Sequence, residues 1–163
     1  MKKKLLILGG NALNILAIKE ANSYGFETYV VDKNPHSPGF EFAYKSISID
    51  IIKPELIFEE IKNIGIDGIV SMAEAGIYTK AWLDEKLNLK NKLSINAALN
   101  ATSKAAMRQH WAQIPEYSVP FFVVETIQET VEAINKLNQF PIIVKPDKSF
   151  GGSRGVSKII SIE

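Results

Sequence analysis

The sequence predicts an α/β protein, an open parallel sheet of Rossmann-like order followed by a smaller α+β half-domain. Three observations predict it. Short runs of branched apolar residues recur through the first part of the chain with helical stretches between them, the alternation that builds a parallel sheet. Polar or glycine-bearing turns follow these runs, which puts Gly9, Asn11, Asp32 and Glu74 together at the carboxyl edge of that sheet. Past about Asn100 the order changes to helix, strand, helix, strand, loop, strand, so the chain divides into 1–100 and 101–163.

Leu5 to Leu8 is the first strand, broken by Gly9-Gly10-Asn11 before a helix from Ala12 to about Tyr24, which Gly25 closes. Thr28 to Val31 is the second strand and ends in Asp32. Strand, glycine turn, helix, strand, acid opens a dinucleotide-binding unit, in which the acid holds a ribose hydroxyl. The third glycine of that fingerprint is missing, and a tight strand-to-helix turn needs the same two glycines. Asp32-Lys33-Asn34-Pro35 and Ser37-Pro38-Gly39 form a turn-rich loop. Ser46 to Ile49 is a short strand, and Pro54 opens a helix with Ile57, Ile61 and Ile64 on one face.

Gly68 to Met72 returns to the sheet, and Ala73 to Gly76 leads into a helix carrying Leu83 and Leu87. Glu74 there suits either a substrate amine or the positive end of the helix dipole. Leu93 to Asn96 is expected as the last strand of this domain, with Ala97 to Ala101 as the connection. Thr102 then caps a helix whose Met107, Trp111 and Ile114 share a face, and Lys104 and Arg108 lie on it as phosphate ligands or as a solvated face. Phe121 to Val124 reads as an edge strand after Pro120. Thr126 to Glu129 is a capping box for a helix with a stripe of Ile127, Val131 and Ile134.

The chain's most informative stretch is Phe140 to Val156. Pro141 to Val144 is a buried strand, Lys145 stands where it leaves the core, and a glycine-rich loop precedes a last strand from Val156 to about Ile162. Gly151, Gly152 and Gly155 let backbone amides approach a phosphate, while Ser149, Ser153 and Arg154 add donors. A plain hairpin connection uses the same residue types. No Walker pattern is present, and a strand rather than a helix follows the loop.

Lys-Pro-Asp-Lys-Ser-Phe-Gly-Gly-Ser-Arg-Gly-Val resembles the phosphate-covering loop of the ATP-grasp superfamily, and the rest of the chain follows that family in order. It looks like the amino-terminal part of the carbamoyl-phosphate synthase large subunit and of ligases that join a carboxylate to an amine. The resemblance implies a Rossmann-like pre-ATP-grasp domain, then the first, incomplete lobe of an ATP-grasp domain. It implies ATP held by Lys104, Arg108, Lys145, Ser149, Gly151, Gly152, Ser153, Arg154 and Gly155, and a small carboxylate near Gly10, Asn11, Asp32 and Glu74. It also implies Mg2+ whose ligands lie in a second lobe outside this chain, and either a homodimer or a partner chain that supplies that lobe. Two departures stand out: Ala43 is followed by Tyr44 where the family has Asp, and the helix opens Thr102-Ser103-Lys104 where the family has Asp-Lys.

Composition narrows the rest. The 163 residues are 46% hydrophobic and 23% charged with a net charge of +1, a globular composition without the basic excess that nucleic acid or an anionic membrane would require. With Cys 0 there is no disulfide, thiolate zinc site or cysteine nucleophile. The apolar run in the opening stops at Leu8, too short for a signal sequence, so a cytoplasmic location is expected. No catalytic residue and no metal ligand is assigned. An NAD(P)-binding oxidoreductase domain and a non-catalytic half-enzyme subunit are the alternatives to an inactive-alone ligase fragment.

Overall fold

The computed structural model describes residues 2–148 and 155–161 and divides into two compact units, Met1–Ala98 and Leu99–Glu163. In unit 1 the strands are β1 (Lys4–Leu8), β2 (Glu27–Val31), β3 (Lys45–Ile47) and β4 (Gly68–Ser71), and the helices are α1 (Ile15–Ser23), α2 (Pro54–Ile61) and α3 (Ile77–Lys86). The strands form one four-stranded sheet in the order β3-β2-β1-β4, with every pair parallel. The α/β class and the open parallel sheet therefore stand as predicted.

Strand alternation decides which helix covers which face. Leu6, Leu8, Tyr29 and Val31 point into one layer with Ile57, Ile61 and Leu83 of α2 and α3. Ile7 and Val30 point the other way, to Ile18 and Ala21 of α1. Both faces are covered, which is why these strands are apolar at consecutive positions. α1 is preceded by a 3-10 turn, Ala12–Asn14, instead of starting at Ala12, because the Asn11 side chain accepts from Leu13 N and the Asn14 amide donates to Gly9 O.

The fifth strand expected at Leu93 to Asn96 does not form. Leu93 N donates to the buried Asp84 carboxylate at 3.0 Å, and α4 (Ile95–Thr102) starts at once, with Ser94 Oγ accepting from Ala97 N at 3.1 Å. The alternation of Leu93 and Ile95 imitated a strand, but Ser94 is a helix cap. The division between the units falls within α4.

Unit 2 holds α5 (Lys104–Trp111), α6 (Ile127–Leu137) and the antiparallel pair β5 (Ile142–Val144) and β6 (Ser157–Ile159), with Val144 opposite Ser157. The cap of α5 is Ser103, not Thr102, and Thr102 is the last residue of α4. Phe121 to Val124 forms no strand; the segment lines a pocket, and Pro120 has no N–H to offer a ladder. The capping box of α6 is present. Its buried side is not the one expected: Ile127 is 86% exposed and Val131 45%, whereas Ala133 is buried. No helix among the described residues is long and apolar enough to cross a membrane.

Candidate functional site

Two groups of residues need placing, one in each unit. In unit 1 the turn after β1 is closely held. Gly9 has φ +106°, a conformation that favours glycine, and its N–H donates to Val31 O at 2.8 Å. Gly10 N donates to one oxygen of Asp32 at 2.8 Å, and Asn34 N donates to the other at 2.9 Å. Gly39 N donates to Gly10 O at 2.7 Å, and a Cβ on Gly39 would lie 2.6 Å from that oxygen. The Pro38-Gly39 segment thus packs directly against Gly10 of the glycine turn. Asp32, whose two oxygens already serve chain amides, joins the turn after β1 to the loop after β2.

Asn11 and Glu74 complete this edge. The Asn11 carbonyl is used as a cap, and Glu74 lies in a 3-10 turn (Glu74–Gly76) that follows β4, the strand beside β1. Its carboxylate has no hydrogen bond or ion pair among the described residues. Of the four unit 1 residues, then, Gly10 and Asp32 are bonded to each other, Asn11 is half committed, and Glu74 is free to meet a ligand.

In unit 2 a pocket of about 530 Å³ is walled by α5, the 119–124 segment, α6 and β5. Lys104, Arg108 and Lys145 all line it, along with apolar side chains such as Phe121, Ile142 and Val144. Lys104 and Arg108 are four residues apart on α5 and so share a face. Lys145 stands directly past the end of β5. Among the described residues neither Lys145 nor Arg108 has a hydrogen-bond or ion-pair partner, so two cations meet a partly apolar pocket unpaired. Such an arrangement favours an anion attached to an apolar or aromatic body.

The loop's two ends are also placed. Gly155, at φ +67°, packs on Pro146, and a Cβ there would lie 2.8 Å from the proline ring. The base of the loop is thereby closed between β5 and β6. Ser149, Gly151, Gly152, Ser153 and Arg154, which the sequence singles out for phosphate, lie outside the described residues.

Asp147 is the residue that sequence reasoning missed. Its carboxylate accepts from Ala105 N at 2.8 Å and from Ser103 Oγ at 2.8 and 3.1 Å, and its carbonyl accepts from Lys104 Nζ at 3.1 Å and Lys104 N at 3.3 Å. The Ala105 amide, then the Ser103 hydroxyl and the nearby Lys148 charge, hold the carboxyl below the usual aspartate range against the opposing effect of partial burial. These partners are more than forty residues away in the chain, so no local pattern could announce them. Among the described residues no group of three or more His, Asp or Glu side chains could hold a metal ion.

No protein-family model matches the chain. It is 26% identical over 162 residues to the formate-dependent phosphoribosylglycinamide formyltransferase of Bacillus velezensis, covering 92% of this chain and 39% of that protein. It is 30% identical over 156 residues to the enzyme of the same name from Bacillus subtilis, covering 92% and 39%. Among solved structures, N5-carboxyaminoimidazole synthetase from Staphylococcus aureus complexed with ADP has TM-score 0.79 at 20% identity, covering 99% of this chain and 43% of that one. Phosphoribosylglycinamide synthetase from Anaerococcus prevotii has TM-score 0.69 at 24% identity, covering 99% and 40%. The chain spans about two fifths of the length of these proteins.

A parallel-sheet unit followed by a unit of helices and a lysine-bearing hairpin is the fold that these synthetases share with the chain. These relatives and structural neighbours are ATP-grasp enzymes, and the chain is similar to them over nearly its whole length. The similarity is to the amino-terminal part of these enzymes, formate-dependent phosphoribosylglycinamide formyltransferases among them.

Proposed function

We propose that this chain forms the front of an ATP-dependent carboxylate–amine ligase. In this proposal unit 2 holds the nucleotide's phosphates and unit 1 receives the carboxylate substrate. The single observation that carries it is the unit 2 pocket, where Arg108 and Lys145 stand unpaired beside Lys104 against apolar walls. A nucleoside di- or triphosphate matches both halves of that lining: charge for the phosphates and apolar surface for the rest.

ATP supplies the phosphoryl group that turns a carboxylate into an acylphosphate, which an amine then displaces. The residues of this chain bind and orient. Lys145 and Arg108 lower the charge on phosphate oxygens, and the loop containing Ser149, Gly151, Gly152, Ser153 and Arg154, together with Gly155, covers them. The free carboxylate of Glu74 and the uncommitted amide group of Asn11 suit a small substrate bearing an amine or a carboxylate, on an edge whose backbone Gly10 and Asp32 hold by bonding to each other. The names of the sequence relatives favour formate as the carboxylate over the bicarbonate-type chemistry of a carbamoyl-phosphate synthase-like enzyme. Magnesium would neutralise the transferring phosphates; among the described residues no carboxylate cluster would hold it, and the proposal assigns its ligands to a second lobe outside this chain or to a partner chain. A cytoplasmic location is part of the same proposal.

The test is calorimetric titration of ADP and of NAD into this chain. ADP is expected to bind, and Lys145→Ala is expected to weaken it at least about tenfold, the worth of one charge-assisted contact. Equal ADP affinity in wild type and Lys145→Ala, or binding of NAD in place of ADP, would overturn the assignment.

A further inference from the structure

Lys104 and Arg108 ride on a helix of only eight residues, Lys104–Trp111, none of which is buried. Such a helix is marginal by itself and needs something external to fix it. Its first turn supplies that through unusual partners. Ser103 caps Ala106 N at 3.0 Å in the ordinary way, while the Ala105 amide is taken by a carboxylate from a distant part of unit 2, Asp147. The same Asp147 accepts the Ser103 hydroxyl, and its backbone carbonyl accepts the Lys104 ammonium at 3.1 Å.

Asp147 is also two residues past Lys145, with Pro146 between them. Proline fixes its own φ, which narrows how far the Asp147 carboxylate and the end of β5 can move relative to each other. On its other side Pro146 is packed by Gly155, which closes the loop's base. One residue therefore ties three things: the helix carrying Lys104 and Arg108, the strand end carrying Lys145, and the root of the glycine-rich loop.

We propose that Asp147 is a positioning residue that docks the start of α5 onto the end of β5, so that Arg108 and Lys145 address one anion from two sides of the pocket. The inference rests on the nucleotide-site proposal above. Asp147 lines the same pocket, but its carboxylate is engaged by Ser103 Oγ and Ala105 N and would repel a phosphate, so it acts through the two elements that it joins and not as a ligand.

The experiment compares wild type, Asp147→Ala and Asp147→Asn in the full chain by amide hydrogen exchange at Ala105 and Ala106, by melting temperature and by ADP titration. Asp147→Ala is expected to speed Ala105 exchange and to weaken ADP about tenfold, with little change in melting temperature. Asp147→Asn keeps an oxygen acceptor and is expected to restore most of both, a rescue that a generic charge effect would not give. Should Asp147→Ala fail to fold, Asp147→Asn and Ser103→Ala, which removes a partner from the opposite side, carry the same comparison. Wild-type ADP affinity in Asp147→Ala, or equal loss in the alanine and asparagine variants, would overturn the positioning role alone. Absence of ADP binding by the unaltered chain would overturn the nucleotide site and the positioning role together.

Discussion

In unit 1 the polar groups of the glycine turn are used up by the chain itself: Gly10, Asp32, Asn34 and Gly39 bond to one another over a covered apolar core. Among the described residues of unit 2, the polar groups of interest, Lys145 and Arg108, meet a pocket without protein partners, and Ala133 is the one apolar residue in the buried core. The two units thus divide the work. Buried and satisfied groups specify a backbone; cations without a protein partner leave their hydrogen-bonding capacity to solvent or to a ligand.

The largest expected effect sharpens this contrast through packing. Leu83 of α3 is fully buried in the layer beneath β1 and β2. Leu83→Ala should cost about 3 kcal/mol of stability, from lost burial plus the cavity left behind. Phe122 of unit 2 is 48% exposed, and Phe122→Ala should cost under about 1 kcal/mol. Urea unfolding of both variants checks the pair, and comparable losses would break the contrast.

The next effect concerns charge. Asp32→Ala leaves the Gly10 and Asn34 amides without their acceptor and should cost about 2 kcal/mol, because unmet donors in a partly buried turn carry a desolvation penalty. Lys145→Ala removes a side chain with no protein partner and should change stability by less than about 0.5 kcal/mol while it weakens ADP. Charge substitution would then damage the fold in one unit and binding in the other. A Lys145→Ala protein as destabilised as Asp32→Ala would mean that Lys145 is structural.

These differences explain what was legible in the sequence. Strands β1, β2 and β4 announced themselves by unbroken apolar runs, and the capping box of α6 by its Thr126 and Glu129 spacing, since each signal is local. Lys145 could be placed because a strand end and a proline bracket it. The misread strand at Leu93 was decided by Asp84, nine residues back, whose carboxylate takes the Leu93 amide. Ile127 and Val131 looked like a core stripe by periodicity, yet the buried position of that helix is Ala133, because the cover that a stripe needs is a tertiary fact. Asp147 was invisible for the same reason: its partners are fixed only when α5 and β5 meet.

A smaller effect tests unit 2 without touching its pocket. Thr126 Oγ1 accepts from Glu129 N at 3.1 Å, and Glu129 returns a carboxylate to Glu125 N at 2.7 Å. Thr126→Ala should cost about 1 kcal/mol by loss of the cap, and Thr126→Ser should cost much less. Thermal unfolding followed by circular dichroism reads both, and ADP affinity should stay unchanged in each.

The smallest effect comes from pH. The Asp147 carboxyl is held below its ordinary value by the Ala105 amide foremost, then by the Ser103 hydroxyl and the Lys148 charge. A carboxyl depressed in the folded state stabilises that state above its unfolded pKa, about 3.9, and the contribution disappears as pH falls through the lower folded value. Solvent screening keeps it small at so exposed a group. Stability should therefore be flat between pH 8 and 5 as far as this residue is concerned. Below about pH 4 the Ala105 amide should lose protection. Hydrogen exchange at Ala105 against pH checks this, with Asp147→Asn as the control that cannot titrate. If the asparagine variant lost protection over the same pH range as wild type, another group would be responsible and the clamp would not depend on the Asp147 charge.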